Sequence, residues 1–478
     1  MHVIDLGLFL VYIVGLLGFG YFFFKKNKGG DDYYVGGRNM SSYHIGLSVV
    51  ATDVGGGFSI GLGGLGFTMG ISGSWMLFTG LIGAWLAAVF LIPKIKQNPF
   101  FDKAYTFPQL FEHYYSPNVA LIAAIISAVG YAGFTSSQML AGAKLASGTF
   151  SNLGLDTALY IMGAVAVIYT VMGGLKAVIY TDTIQWSILM TGLIFIGVPF
   201  AYVEIGGIEA VRSTVSPEML SLFNLTWQDA VYWTVTIIPI WFVGMTLYQR
   251  VYACKDEKTA KKAWYIAGLF EWPVMAFLGV LLGLFARVAA DQGMFDYLGA
   301  QNIAQTDPET GLPMLLRTVL PVGFLGAMMA AYFSAILSTA DSCLMASSGN
   351  VVTDIIGRFK KFNPNSSMFL GLSQIVTLII GVLALLLAAA MENVLSLMLD
   401  SYSFMVSGLF VPVIGALFWR KSTSAGAMSA MISGGTTTLF LRYLEIGLPF
   451  NLDPNVFGIT TSAIFFITVS LLTQKNQK

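Results

Sequence analysis

Ala51-Thr52-Asp53-Val54-Gly55-Gly56-Gly57 is the stretch whose reading decides the fold. It lies inside an apolar segment, residues 43–70, long enough to cross a bilayer core as a helix. Three consecutive glycines weaken a helix by about 1 kcal/mol each. A helix broken in mid-membrane exposes backbone carbonyls and a new N-terminus, groups suited to hold cations and anionic solutes. Glycines also permit close helix packing. Packing does not need the carboxylate of Asp53, however, and an ionisable group inside a span is functional by default. Gly61-Leu62-Gly63-Gly64-Leu65-Gly66 nearby matches a dinucleotide fingerprint in letters only, because no strand precedes it and it lies within a span.

The rest of the chain has the same character. Of 478 residues, 56% are hydrophobic and only 10% charged, where a soluble surface needs about a quarter charged. The composition predicts an all-α polytopic membrane protein with the lipid bilayer as its solvent. Thirteen apolar helical segments are expected: 3–24, 43–70, 73–94, 118–148, 156–173, 182–203, 228–252, 264–290, 321–355, 368–390, 394–418, 423–443 and 455–473. They are too long and too continuously apolar for barrel strands. Residues 3–24 lack a basic leader and a cleavage site, so they read as a retained helix rather than a signal peptide. With the N-terminus outside, 20 of the 25 Lys and Arg residues fall on inner loops and flanks; Lys144, Arg212, Arg287, Arg317 and Arg442 do not. The positive-inside rule therefore predicts an outer N-terminus and a cytoplasmic C-terminus in the cell inner (plasma) membrane. A zero net charge implies no nucleic-acid partner. Two cysteines and three scattered histidines offer neither a disulfide framework nor a zinc cluster.

Besides Asp53, four acids fall within spans: Asp182, Glu271, Asp341 and Asp400. Ser338 and Ser342 are four apart and share a helix face. With Thr339 and Asp341 they supply the oxygen ligands that hard cations prefer, although hydroxyls in spans often bond back to their own helix. Thr181 or Asp182 would also serve as a helix N-cap. Asp400 and Tyr402 either meet a solute or line a wet cavity. Glu271, before Trp272-Pro273, reads as part of a proline kink. Trp75, Trp186, Trp233 and Trp419 lie near span ends and read as interface anchors. Trp241 and Tyr248, seven apart, present one helix face, for packing or for a cation–π contact with an ammonium group.

Taken in order, these motifs resemble the sodium/solute symporter family. The likeness runs from Asp31-Asp32-Tyr33-Tyr34-Val35-Gly36-Gly37-Arg38, through Met172-Gly173-Gly174-Leu175, Tyr180-Thr181-Asp182-Thr183-Ile184-Gln185, Gln249-Arg250 and Ser338–Ser342, to Phe418-Trp419-Arg420-Lys421. The resemblance implies a LeuT-type fold in a single transporter domain. Two five-helix inverted repeats would span 43–203 and 228–418, each with a discontinuous first helix. The helix at 3–24 and two at 423–473 would flank them. It implies a main sodium site made by the carbonyls of Ala51, Val54 and Ala335 and the hydroxyls of Ser338 and Thr339. A second sodium ion would fall to Asp182, Asp341 and Ser342, and two ions per cycle are expected. The stretch Ala51-Thr52-x-Val54-Gly55-Gly56-Gly57, with Ser338–Ser342, looks most like the choline-transporter branch. Position 53 is a cage tryptophan in that branch, however, and Asp53 here resembles the proline-transporter branch instead, so the features are mixed. The choline branch's second tryptophan falls on Gly244 here, so its cage is not reproduced.

The expected activity is sodium-coupled import of a small organic solute, amine-bearing and either zwitterionic or cationic. Asp53, Gly55, Trp241, Tyr248, Asp400 and Tyr402 would contact it. No obligatory protein partner is implied. A symporter for a sugar or carboxylate, a nutrient sensor on the same fold and a channel are the rivals. An enzyme finds no supporting residue cluster.

Overall fold

A computed structural model describes residues 2–26, 30–150, 153–300, 302–360, 362–444 and 447–474. Every regular element among them is helical. The principal helices are α1 (Val3–Lys26), α2 (Ser42–Gly56), α3 (Gly63–Met69), α4 (Trp75–Leu86), α5 (Pro117–Thr149), α6 (Leu155–Gly192), α7 (Trp227–Val243) and α8 (Met245–Ala253). They continue with α9 (Glu257–Leu269), α10 (Ala276–Asp291), α11 (Pro308–Val319), α12 (Phe324–Gly349), α13 (Ser367–Ala388), α14 (Val394–Phe418), α15 (Ser424–Tyr443) and α16 (Pro454–Thr473).

Among the described residues, nine helical stretches are long and apolar enough to cross a membrane. There are ten if α7 and α8, bent by 42° about Gly244, form one span. The difference from thirteen has three local causes. The 43–70 segment breaks at Gly55, leaving α2 only 15 residues long. The 156–173 and 182–203 segments run together as one helical stretch, Leu155–Glu204, turned at Gly174 (φ 67°). The helix at 423–443 forms as α15, but Gly, Ser and Thr dilute its apolar character.

Burial sorts the helices. The stretch Phe324–Phe359 that begins with α12 is 89% buried, whereas Val3–Phe22 and α16 are 22% buried. The helix expected to carry the sodium hydroxyls is thus a central post, packed against α1, α2, α5 and α6. Backbones meet closely elsewhere too. A Cβ on Gly66 would strike the Val280 carbonyl, and one on Gly283 the Gly63 carbonyl, so α3 and α10 pack with no side chain between them. Polar groups that helices leave unpaired at their ends are met locally: Thr226 and Asp229 form a reciprocal capping box at the start of α7.

Candidate functional site

The break in α2 is held from two sides. Gly55 has φ 38° and ψ −123°, a backbone that only glycine takes up without strain. A Cβ there would strike Thr339 Oγ1 of α12. The next amide, Gly56 N, donates to Gln138 Oε1 of α5 at 2.6 Å. Thr339 Oγ1 donates to the Ala51 carbonyl at 2.7 Å and lies 3.5 Å from the Ala335 carbonyl. Ser338 Oγ is buried and makes no hydrogen bond. Ala51, Ala335 and Thr339 therefore converge on the broken turn, while Ser338 lies beside Asp182. Val54 belongs to the last turn of α2, but its side chain lies outside the described residues.

One turn back along α2 lies a buried charged layer. Ser48 Oγ donates to Asp182 Oδ2. The fully buried Arg250 donates from Nε to Ser48 Oγ at 3.0 Å and from Nη1 to the Thr246 carbonyl at 3.2 Å. Its Nη2 reaches Thr52 Oγ1, Ser342 Oγ at 2.8 Å and Asp182 Oδ2 at 3.6 Å. Asp341 accepts from Thr170 instead. Asp182 Oδ1 and Asp341 Oδ2 are buried without a hydrogen bond, as Ser338 Oγ is. Asp182 lies beside Ser338, and its charge is felt by Asp341. Of the three groups expected for a second ion, Asp182 and Asp341 thus keep open oxygens, while Ser342 is taken up by Arg250. By sequence alone Arg250 falls among the basic residues of an inner loop. Its signal in the sequence is the Gln249-Arg250 pair of the family resemblance, which assigns it no role.

On the other side of the break, Tyr402 Oη of α14 donates to Asp53 Oδ1 at 3.2 Å. Asp53, Gly55 and Tyr402 are therefore brought together. Glu271 lies within hydrogen-bonding reach of Asp53, and no other donor among the described residues reaches its oxygens. The other three expected solute contacts lie elsewhere. Asp400 Oδ1 pairs with Arg442 at 2.8 Å, and Arg442 also holds Asp453 at 2.8 Å. Asp400 lines a cavity of about 360 Å³ with Gly133, Ser396 and Ser401. Trp241 is fully buried, seated on Gly83 and edge-on to Trp264. Tyr248 is fully buried too. Its hydroxyl donates to the Phe242 carbonyl at 3.0 Å and its ring packs on Phe107, so it shares no open face with Trp241. Two of the four expected interface tryptophans, Trp186 and Trp233, are also buried inside the protein.

A broken helix held against a hydroxyl-bearing post is an arrangement with which transporters coordinate cations, and comparison with known proteins agrees. The model of the sodium:solute symporter family matches residues 33–434. The chain belongs to the sodium:solute symporter family. The high-affinity proline transporter PutP of Bacillus subtilis is 29% identical to this symporter, over 96% of each chain. A sodium/glucose cotransporter of Vibrio parahaemolyticus is 25% identical, over 99% of this chain and 91% of the relative. A solved Na⁺-coupled sialic acid symporter, 21% identical, superposes with a TM-score of 0.80 over 98% of both chains. The symporter therefore has that LeuT-type fold. It is a multi-pass membrane protein that couples sodium to movement of a small solute.

Proposed function

We propose that this symporter imports an amine-bearing solute by alternating access, with Asp53 as a ligand of the amine. The main sodium ion binds the carbonyls of Ala51, Val54 and Ala335 and the hydroxyls of Ser338 and Thr339. The observation that carries this reading is the contact of Thr339 Oγ1 with the Ala51 carbonyl across the break at Gly55. A cation there draws oxygens of both helices to itself and so fixes α2 against α12. A second ion uses the open oxygens of Asp182 and Asp341, with Ser338 between the two positions. Ser342 contributes to that ion only when Arg250 releases it.

Solute binds beside Asp53 and Tyr402, and the two repeats, 43–203 and 228–418, rock about it. The N-terminus faces outward and the C-terminus the cytoplasm. Each sodium ion yields about 2.3 kcal/mol per 100 mV and about 1.4 more for a tenfold gradient. Two ions supply about 7.4 kcal/mol, enough for roughly 10⁵-fold accumulation of a neutral solute.

The test is uptake into proteoliposomes with and without an inward sodium gradient. The panel holds proline, choline, other amines, a sugar and a carboxylate; proline and glucose are named for relatives of this chain. The expected result is sodium-dependent accumulation of an amine that is lost in Asp53→Ala while sodium binding survives. Accumulation of the sugar or carboxylate alone would keep sodium coupling and reject the amine reading. Sodium-independent flux without accumulation would reject the symport mechanism.

A further inference from the structure

Glu271 is an intramembrane acid to which neither sodium position gives a role, and it sits at another break in a helix. Between α9 and α10 the chain forms a wide turn, Phe270–Met275, in which Trp272 leaves the helical region (φ −136°, ψ 126°). Glu271 immediately precedes that residue and is fully buried. It packs over Gly80 of α4, where a Cβ would collide with Oε2, so the neighbouring helix leaves room for a carboxylate. No donor from elsewhere among the described residues reaches either of its oxygens. The wide turn packs against α2, and Glu271 lies within hydrogen-bonding reach of Asp53, so the two carboxyls can share a proton while no cation is bound. Neither acid has an ion pair among the described residues. Two carboxyl groups held against each other either share a proton or take a cation between them, and an ammonium can replace that proton.

We propose that Asp53 and Glu271 together form an ammonium subsite, and that Glu271 makes it selective for an amine carrying N–H groups over a quaternary ammonium. The inference rests on the amine reading above and narrows it. An ammonium with two N–H groups gives one to each carboxylate, as charge-assisted hydrogen bonds. A quaternary ammonium has none to give. It would bury the Glu271 oxygens against methyl groups, and a site built for hydrogen bonding rejects an analogue lacking the donor. The nearby aromatic rings offer it no substitute. Trp272 is stacked on Trp75 and meets the edge of Phe78, and the Tyr402 ring is met by Phe134, so these rings are engaged with one another rather than arranged as a cation cage.

The full chain, purified in detergent, is titrated by thermal shift first with sodium alone. It is then titrated in saturating sodium with proline, alanine, choline and glycine betaine. In the wild type, proline or alanine should stabilise the protein, and the two quaternary amines should bind at least tenfold more weakly. Glu271→Gln should keep the sodium response, lose at least tenfold in affinity for the N–H amine and bind the two classes about equally. Gly80→Ala displaces the carboxylate without removing its charge. It should weaken the N–H amine in the same selective way, and it carries the test if Glu271→Gln does not fold. The proposal is overturned if both variants bind amines as the wild type does. It is overturned equally if the wild type binds choline as tightly as proline, or if Glu271→Gln loses sodium but not amine. A sodium response with no response to any amine also overturns it and leaves sodium coupling intact; absence of a sodium response is the result that rejects the symport reading itself.

Discussion

Arg250 shows how much a single buried side chain organises here. Its guanidinium touches Ser48 and Thr52 on α2, Ser342 on α12 and Asp182 on α6, so one cation joins three helices. Removing one partner of a buried pair leaves an uncompensated charge, at a cost of about 3–5 kcal/mol. Arg250→Gln and Asp182→Asn should each destabilise by about that much. The double variant should be less unstable than the two effects added together, by about 1 kcal/mol or more. A double-mutant cycle on unfolding in detergent measures this, and strict additivity would mean that the two groups do not act as a unit. Asp182, Thr339 and Ser342 are legible from the sequence because an acid or a hydroxyl pair is costly inside an apolar run unless it binds something. Arg250 is legible only as part of the Gln249-Arg250 motif, which says nothing of its role. An arginine at the end of a span, followed by Lys255 and Lys258, looks like any positive flank, and only tertiary packing shows that it turns inward. Trp241 and Tyr248 mislead for the converse reason: helical spacing gives a shared face but not what covers that face.

Helix breaks follow the same division. The break at Gly55 is announced by three glycines beside an acid. The wide turn at Trp272 falls where Glu271-Trp272-Pro273 reads as a proline kink, whereas the turn at Gly174 comes from a Gly173-Gly174 pair, a signal that many unbroken spans also carry. The N-terminal helix stands out in the sequence as an apolar span, but its role in the fold is visible only in three dimensions. Asp5 of α1 is 1% exposed, and its Oδ1 accepts the Gly323 and Gly326 amides at 2.7 and 2.8 Å. A carboxylate from a distant part of the chain thus caps α12, the post that bears Ser338 and Thr339, and favours the positive end of its dipole. Loss of a capping side chain costs about 1 kcal/mol, with a range of about 0.5–2. Asp5→Ala should lower stability by that amount, and Asp5→Asn, which keeps a carbonyl acceptor, by less. Thermal unfolding of the purified variants distinguishes the two. Equal losses would mean that Asp5 acts through its charge alone.

At the scale of the whole molecule, a second ion cluster, with Lys144 and Glu309 buried and Asp307 exposed, joins helices near the far end of α5. Lys144 Nζ lies 2.8 Å from both Asp307 and Glu309 at the start of α11. Glu309 also accepts the first two amides of α14, Val394 N at 2.9 Å and Leu395 N at 3.0 Å. Its side chain rests on Gly64 of α3 as well. One carboxylate therefore ties α11 across α3, α5 and α14, the helices on either side of the broken turn. On the orientation proposed above, Lys144 lies on the outer side, opposite Lys94, Lys96 and Lys255. If solute enters from there, this tie must loosen in each cycle. Glu309→Gln keeps the size of the side chain and removes the charge that holds Lys144, so it should favour the open form. Cys254 and Cys343 are both buried, which leaves a cysteine introduced at Ser401, on the wall of the 360 Å³ cavity, as the reactive thiol. In Ser401→Cys, a membrane-impermeant thiol reagent added outside should label slowly. Adding Glu309→Gln should raise that rate several-fold. Labelling that rises only when the reagent is added from the cytoplasmic side would reverse the assigned sidedness. An unchanged rate from both sides would mean that the Lys144–Glu309 tie is a fixed strut and that the outer gate lies elsewhere.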